Sequence, residues 1–342
     1  MSKRARGNKE GAANVLASLA PEKIRHLDPS IIDKVSWSDF SAFNNDQLIA
    51  IGELINQSDA DAQPYCYTVP PFVLGPLPQS AAKTNHFSRK FRWQQVDYSN
   101  TKGEALPSGA PARILLLHII TTLVRTGEPY VDLKENVAEL MRVFGVKPSY
   151  GAKGTVNKYE SALLSLMRTV IEVKTTREIG GEIQVDEIRF PIFRRDSMHL
   201  NERGIVSGIA EVDRDFAQIV TKSSVILDRR TVVELCQKRS PAALDIYIWS
   251  TYTNFYLRQN GRPNITLTWD EAYELFSSKS SPKKAFRRDF ATKVELVQRV
   301  YPSLRLVPDK SGITLWRTET HVNPIAPPST KKLRSRPSPM PA

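Results

Sequence analysis

Cysteine is almost missing from this chain. Of 342 residues only Cys66 and Cys236 are cysteines, and two thiols so far apart offer neither a disulfide framework nor a thiolate metal site. A reducing, cytoplasmic setting is expected. Histidine is scarce as well. His26, His86, His118, His199 and His321 stand singly, so the clustered histidines of a metal-dependent strand-nicking enzyme are absent. His118, inside the most apolar segment, reads as a core residue. Long hydrophobic runs are lacking: Ile114–Val124 is too short to span a bilayer, which takes about 20 residues. No apolar signal core follows the basic start Met1-Ser-Lys-Arg, so neither a membrane role nor secretion is expected. Acid is also in deficit, with 36 Asp and Glu against 48 Lys and Arg and a net charge of +12. A surplus of that size favours a polyanionic partner, because phosphate contacts release condensed counterions.

Catalytic constellations are missing too. The run from Gly145 to Thr155 has the look of a phosphate loop, but Ala152 and Gly154 interrupt the Gly-Lys-Ser/Thr junction and no strand precedes it. Glu211, Asp213 and Asp215 read as exposed or capping carboxylates. No enzyme, cofactor or metal is expected.

What is present is an order of elements that occurs twice. Residues 1 to about 20 look like a solvated arm, and Asp46–Ile55 a short helix. Gln47-Leu-Ile-Ala-Ile51 there is taken as an ordinary amphipathic turn rather than a clamp-docking segment. From Asp59 to about Gly109 repeated prolines break every helical run, and the stretch is expected to be irregular. The first block opens with an apolar helix from Pro111 to Arg125, closed by Gly127. A capping box follows at Asp132–Glu135, then a short helix burying Val137, Leu140, Met141 and Phe144. After a polar loop, a helix from Thr155 to about Arg168 carries the apolar stripe Val156, Tyr159, Leu163 and Met167. Val170–Arg177 and Glu182–Phe193 alternate like strands about a Gly180-Gly181 turn. The second block repeats this plan. Ser240-Pro241 start an apolar helix, and Ile265–Leu267 reads as a strand. Thr268–Glu271 is a capping box. A helix starts at Pro282, and a hairpin spans Leu304–Trp316. The expected fold is α+β, mainly α: two tandem winged helix-turn-helix domains (residues 105–212 and 213–318) after an irregular N-terminal region (1–104). A disordered, basic, proline-rich tail (319–342) follows.

Both third helices have a polar side. At 100° per residue, Phe286, Phe290, Val294, Val297 and Tyr301 share one stripe, and Lys284, Arg287, Arg288, Ala291, Thr292, Glu295, Gln298 and Arg299 spread over the rest. Long cations beside small, hydrogen-bonding residues are what a major-groove reader needs. In the first block Asn157, Lys158, Ser161, Ser165 and Arg168 face outward, with Lys147 and Lys153 in the preceding loop. A cation beside free amides at a helix start suits a phosphate. Lys174, Arg177 and Lys310 are expected to reach DNA from the hairpins. The candidate DNA-binding residues are therefore Lys284, Arg287, Arg288, Thr292 and Gln298, with Lys153, Asn157, Lys158, Ser161 and Arg168.

Ser240-Pro-Ala-Ala-Leu-Asp-Ile-Tyr-Ile-Trp-Ser-Thr-Tyr252 closely resembles the signature of the plasmid-encoded RepA replication proteins. Phe286-Arg-Arg-Asp-Phe290 with Val300-Tyr-Pro302 is similar to the same family. So are Leu106-Pro-Ser-Gly, Arg113-Ile-Leu-Leu-Leu and Phe144-Gly-Val-Lys-Pro-Ser-Tyr-Gly. The resemblance runs from about Phe72 to Val322 and departs at Phe87-Ser-Arg-Lys, where an Arg-Arg-x-Gly pattern is lacking. It implies a tandem winged-helix initiator that binds direct repeats in double-stranded DNA at a plasmid origin. Such a protein melts adjacent A+T-rich DNA, recruits the host replication initiator and helicase, and alternates between a monomer and a self-repressing homodimer. The rival reading is a winged-helix transcriptional repressor or plasmid partition protein that binds an inverted repeat as a dimer.

Overall fold

The computed structural model describes residues 18–20, 23, 47, 65–81, 84–133, 137–151, 154–180, 182–194, 208–238, 240–279 and 282–322. Chain contacts divide it into two units, Met1–Pro64 and Tyr65–Ala342. In the first, the Gln47 amide donates to the Leu19 carbonyl at 2.9 Å. Most of the arm, the helix expected at Asp46–Ile55 apart from Gln47, Lys134 and Glu135 of the expected capping box, Lys153 and the tail after Val322 lie outside the described residues.

The second unit mixes helix and strand. In order it contains β1 (Tyr65–Thr68), α1 (Pro70–Leu74), β2 (His86–Phe91), β3 (Gln94–Asn100), α2 (Gly109–Thr126), β4 (Tyr130–Asp132), α3 (Val137–Val143) and α4 (Thr155–Met167). Then come β5 (Thr169–Ile179), β6 (Glu182–Pro191), β7 (Ile209–Glu211), α5 (Arg214–Ser223), β8 (Val225–Asp228) and α6 (Arg229–Gln237). The chain continues through α7 (Pro241–Gln259), β9 (Asn264–Thr268), α8 (Trp269–Phe276), α9 (Lys283–Val300), β10 (Arg305–Pro308) and β11 (Gly312–Trp316). Strands pair antiparallel throughout, in sheets ordered β2-β3-β5-β6, β10-β11-β9, β1-β8 and β4-β7.

Local chemistry accounts for the helix ends. Gly127 closes α2 at φ 67, in the left-handed region that L side chains avoid, and its N–H reaches the Leu123 carbonyl. Ser240 accepts from the Ala243 amide, with Pro241 in the first turn of α7. Both bonds of the Thr268–Glu271 capping box form at the head of α8. Ala242–Thr251 in α7 are buried without a break, as befits a helix apolar on every side. Around α7 one continuous core runs from Cys66 to Leu315. The two expected blocks thus share an interior.

Residues 65–100 correct the expectation of an irregular region. They form β1, α1, β2 and β3, and β3 pairs with β5 from Gln94↔Thr175 to Asn100↔Thr169. Two features hide these elements in the sequence. Arg89, Gln94 and Asn100 sit at buried strand positions, so the two-residue period of apolar residues is lost. Pro70 and Pro71 meanwhile start a helix rather than break one. The proline-rich bend after α1 is fixed by carbonyl bonding. Arg89 Nε donates to Pro76 O, Arg113 Nη1 to Pro78 O and Arg113 Nη2 to Leu77 O. Gly75 fits there because Val96 fills the space a side chain would need, its Cγ2 only 2.4 Å from an ideal Cβ.

The start of the expected tail also differs. His321 stacks on Tyr301 at 4.5 Å, Tyr301 donates to Glu319 O, and the Asn254 amide holds Thr318 and Glu319. Residues 319–322 are therefore strapped to α7 and α9. The segment 209–237, for which the sequence offered no element, supplies β7, α5, β8 and α6.

Candidate nucleic-acid interface

Helix α9 buries Phe286, Phe290, Val294 and Val297, and Tyr301 beyond its end is buried too. The stripe rests on α8. Phe286 and Phe290 meet the Trp269 ring edge-on at 6.4 and 5.9 Å, and Phe290 lies 5.7 Å from Phe276. This fixes the rotation of α9 and turns Lys284, Arg287, Arg288, Ala291, Thr292, Glu295 and Arg299 to solvent.

The cations on this face have only weak partners. Arg288 Nε lies 3.0 Å from Asp289 Oδ1, with the arginine side chain 79% exposed. Lys283 Nζ is 2.8 Å from Asp270 Oδ1, and its hydrogen bond holds that carboxyl below the ordinary carboxylate range. Arg287 stacks over Trp269, its Cζ 5.5 Å from the ring centroid. Exposed pairs of this kind contribute little and are screened by salt, so phosphate oxygens can replace the carboxylates. Gln298 departs from the expected reading face. Its Nε2 donates to Leu304 O and Leu306 O, both at 3.3 Å, and so ties the end of α9 to β10.

The β10–β11 turn beside this helix is built by Asp309. Its Oδ1 accepts from Ser311 Oγ and from the Ser311 and Gly312 amides, which hold the carboxyl low. Trp269 Nε1 donates to Asp309 O at 3.0 Å. Lys310 at the tip is exposed.

The first block presents a thinner set. Asn157, Lys158 and Ser161 are exposed on α4, above buried Val156, Tyr159, Leu163 and Met167. Asn157 Nδ2 donates to Gly151 O at 3.1 Å. The amides at the helix start are already used: Gly154 N donates to Gly151 O, Thr155 N to Ser149 Oγ and Val156 N to Ser149 O. The expectation of free amides awaiting a phosphate is corrected accordingly. Arg168 is half-buried at the end of α4 and pairs with Glu104, a second departure from the expected face. Lys174 lies 2.7 Å from Glu172 and 3.6 Å from Glu187, so its charge is answered within the protein. Arg177 is exposed.

Two residues of the resemblance segments meet in the interior, a pairing the sequence did not disclose. Arg113 of α2 and Asp245 of α7 form a buried, two-bond ion pair, Nε–Oδ1 2.7 Å and Nη2–Oδ2 2.6 Å, with side chains 5% and 4% exposed. Among the described residues no group of three or more His, Cys, Asp or Glu could hold a metal, and no helix is long and apolar enough to cross a membrane.

Comparison with known proteins gives one family match. The model described as "Plasmid encoded RepA protein" covers residues 106–271, from the approach to α2 into α8, and ends before α9. No curated protein matches. Among solved structures the chain is similar to a selenomethionine crystal structure of domains 2 and 3 of RctB. The TM-score is 0.45 at 9% identity, over 75% of this chain and all of that one. A second RctB domain 2–3 crystal structure gives 0.41 at 9% identity, over 70% of this chain and 94% of that one. The match to the plasmid-encoded RepA model thus spans the segment that holds both Arg113 and Asp245.

Proposed function

We propose that this protein is a plasmid replication initiator that binds repeated sites in duplex DNA with two winged helix-turn-helix blocks. The observation that carries the reading is the face of α9, where Lys284, Arg287, Arg288 and Thr292 stand exposed over an apolar stripe locked to Trp269. In this reading α7, β9, α8, α9 and the β10–β11 hairpin form one winged unit. Helix α9 enters the major groove, with Lys310 on the wing beside it. In the first block α4 takes the same role through Asn157, Lys158 and Ser161, before the β5–β6 hairpin. Phosphate contacts set register and base-edge contacts specify. The protein works by binding rather than by catalysis. It opens adjacent A+T-rich DNA and recruits the host initiator and helicase within the cytoplasm.

Selection of bound sites from random duplexes tests the reading, scored for direct repeats. Arg288→Ala should weaken the selected site by about 1–3 kcal/mol and random DNA by less. Equal loss on both would reduce the residue to a neutraliser of phosphate.

One observation favours the dimeric repressor as a second reading. β6 is the outer strand of its sheet among the described residues, and Ile183 and Val185 on it are exposed, an edge suited to self-association. Permanganate probing of a bound origin separates the two, since only an initiator exposes unpaired thymines.

A further inference from the structure

Arg89 is among the largest fully buried side chains of the protein, at 1% exposure, and DNA has no access to it. It sits on β2, which β3 joins to β5, and β5 follows α4 after the single residue Arg168. β2 is thus built into the sheet that carries the reading helix of the first block. Its guanidinium nevertheless serves the second block. Nη1 donates to Glu274 O at 2.5 Å and Nη2 to Ser277 O at 2.7 Å, the carbonyls that end α8, while Nε holds Pro76 O at 3.1 Å. Helix ends leave such carbonyls without intrahelical donors, and a cation there also suits the helix dipole. Burial lowers the arginine's pKa to about 10, so it stays charged at neutral pH.

Two further cations bridge the same junction. Lys279, at φ 57 in the turn between α8 and α9, donates to Ser88 O at 2.9 Å and to Glu274 Oε2 at 2.8 Å. Arg92 lies 3.0 Å from Glu271 Oε1 and donates to Thr266 O at 2.9 Å. The Phe87 ring lies within cation–π range of both Arg89 and Lys279, at 4.8 and 5.7 Å. Burying a cation costs solvation, and an exposed helix end or a glycine cap would satisfy the same carbonyls. What only this arrangement supplies is a rigid link between one block's sheet and the turn that launches the other block's reading helix.

We infer that Arg89 is a positioning residue that fixes α9 relative to α4, so that the protein accepts its two DNA segments at one spacing only. The inference rests on the DNA-reading proposal above. Adding one base pair between the segments turns the second by about 35° and shifts it about 3.4 Å, a change that a rigid link cannot follow.

The test uses the full chain and a duplex recovered by random selection, its two contacted segments located by footprinting. One, two or five base pairs are then inserted between them. The unaltered chain should lose about tenfold or more in affinity on each longer spacer. Arg89→Met should bind the original duplex nearly as well and discriminate among spacers by no more than about threefold, with Arg89→Lys between the two. Because Arg89→Met can fail to fold, Arg92→Ala with Lys279→Ala probes the more exposed half of the same junction and should loosen spacing in the same direction. Retention of full spacing sensitivity in these variants overturns the inference and leaves the DNA-reading proposal standing. Uniform loss on every duplex also overturns it, since that marks damage to the fold rather than a lost link. If the unaltered chain selects no site at all, the DNA-reading proposal falls and the inference with it.

Discussion

Replacing Asp245 with alanine should be among the most damaging single changes in the protein, and the size of the effect follows from its surroundings. The carboxylate accepts Arg113 Nε and Nη2 at 2.7 and 2.6 Å and Gln79 Nε2 at 2.5 Å, inside the shared core. Arg113 keeps its bonds to Leu77, Pro78 and Gly109 carbonyls but loses its carboxylate partner, leaving a guanidinium that is 5% exposed without that counter-charge. Breaking a buried pair from one side costs roughly 3–5 kcal/mol. At about 2–4 °C per kcal/mol for a unit of this size, the melting temperature should fall by roughly 10 °C. Urea and thermal unfolding of the full chain measure this. Arg113→Met combined with Asp245→Leu should recover a large part of the loss, because the uncompensated charge is then gone. The reasoning is refuted if Asp245→Ala costs less than about 1 kcal/mol, or if the double variant is no better than the single one.

Two further outcomes follow from the interface. Ser311 Oγ, with the Gly312 and Ser311 amides, holds the Asp309 carboxyl below its ordinary value. Its stabilisation of the β10–β11 turn is thus complete above the unfolded carboxylate pKa and lost as pH falls through the lower folded one. Asp309→Asn should remove that acid-side loss, visible as a flattened low-pH limb in the Gly312 amide titration by NMR. Lys284→Ala should reduce the slope of log affinity against log salt by about 1, whereas Lys174→Ala should leave it unchanged because Glu172 and Glu187 already answer that charge. A fall in slope with Lys174→Ala would place the β5–β6 hairpin on the DNA after all.

The stripes and caps were legible because they depend on neighbours a few residues away. Phe286, Phe290, Val294, Val297 and Tyr301 are all buried, as their spacing requires, and Thr268 with Glu271 closes its capping box. The outward positions Lys284, Arg287, Arg288 and Thr292 follow from the same periodicity. Gln298 and Arg168 sit at outward positions by that count too. Gln298 turns inward to Leu304 and Leu306, and Arg168 answers Glu104. Helical angle says which side a residue leaves from but not which distant group waits there.

The sequence on its own determined α2, α3, α4, α7, α8 and α9, the caps at Gly127, Ser240 and Thr268–Glu271, the two β-hairpins and the cationic side of α9, since period, cap and turn chemistry act within one or two helical turns. Tertiary structure alone decided what binds those pieces into one body. β2 and β3 escaped notice because Arg89, Gln94 and Asn100 fill buried strand positions. The Arg89 guanidinium is tolerable there only because the carbonyls of Pro76, Glu274 and Ser277 fold in around it. Arg113 finds Asp245 across 132 residues, and Arg89 finds Glu274 across 185. No local pattern encodes such partners, because a buried charge is matched by whatever the completed fold brings within hydrogen-bonding distance.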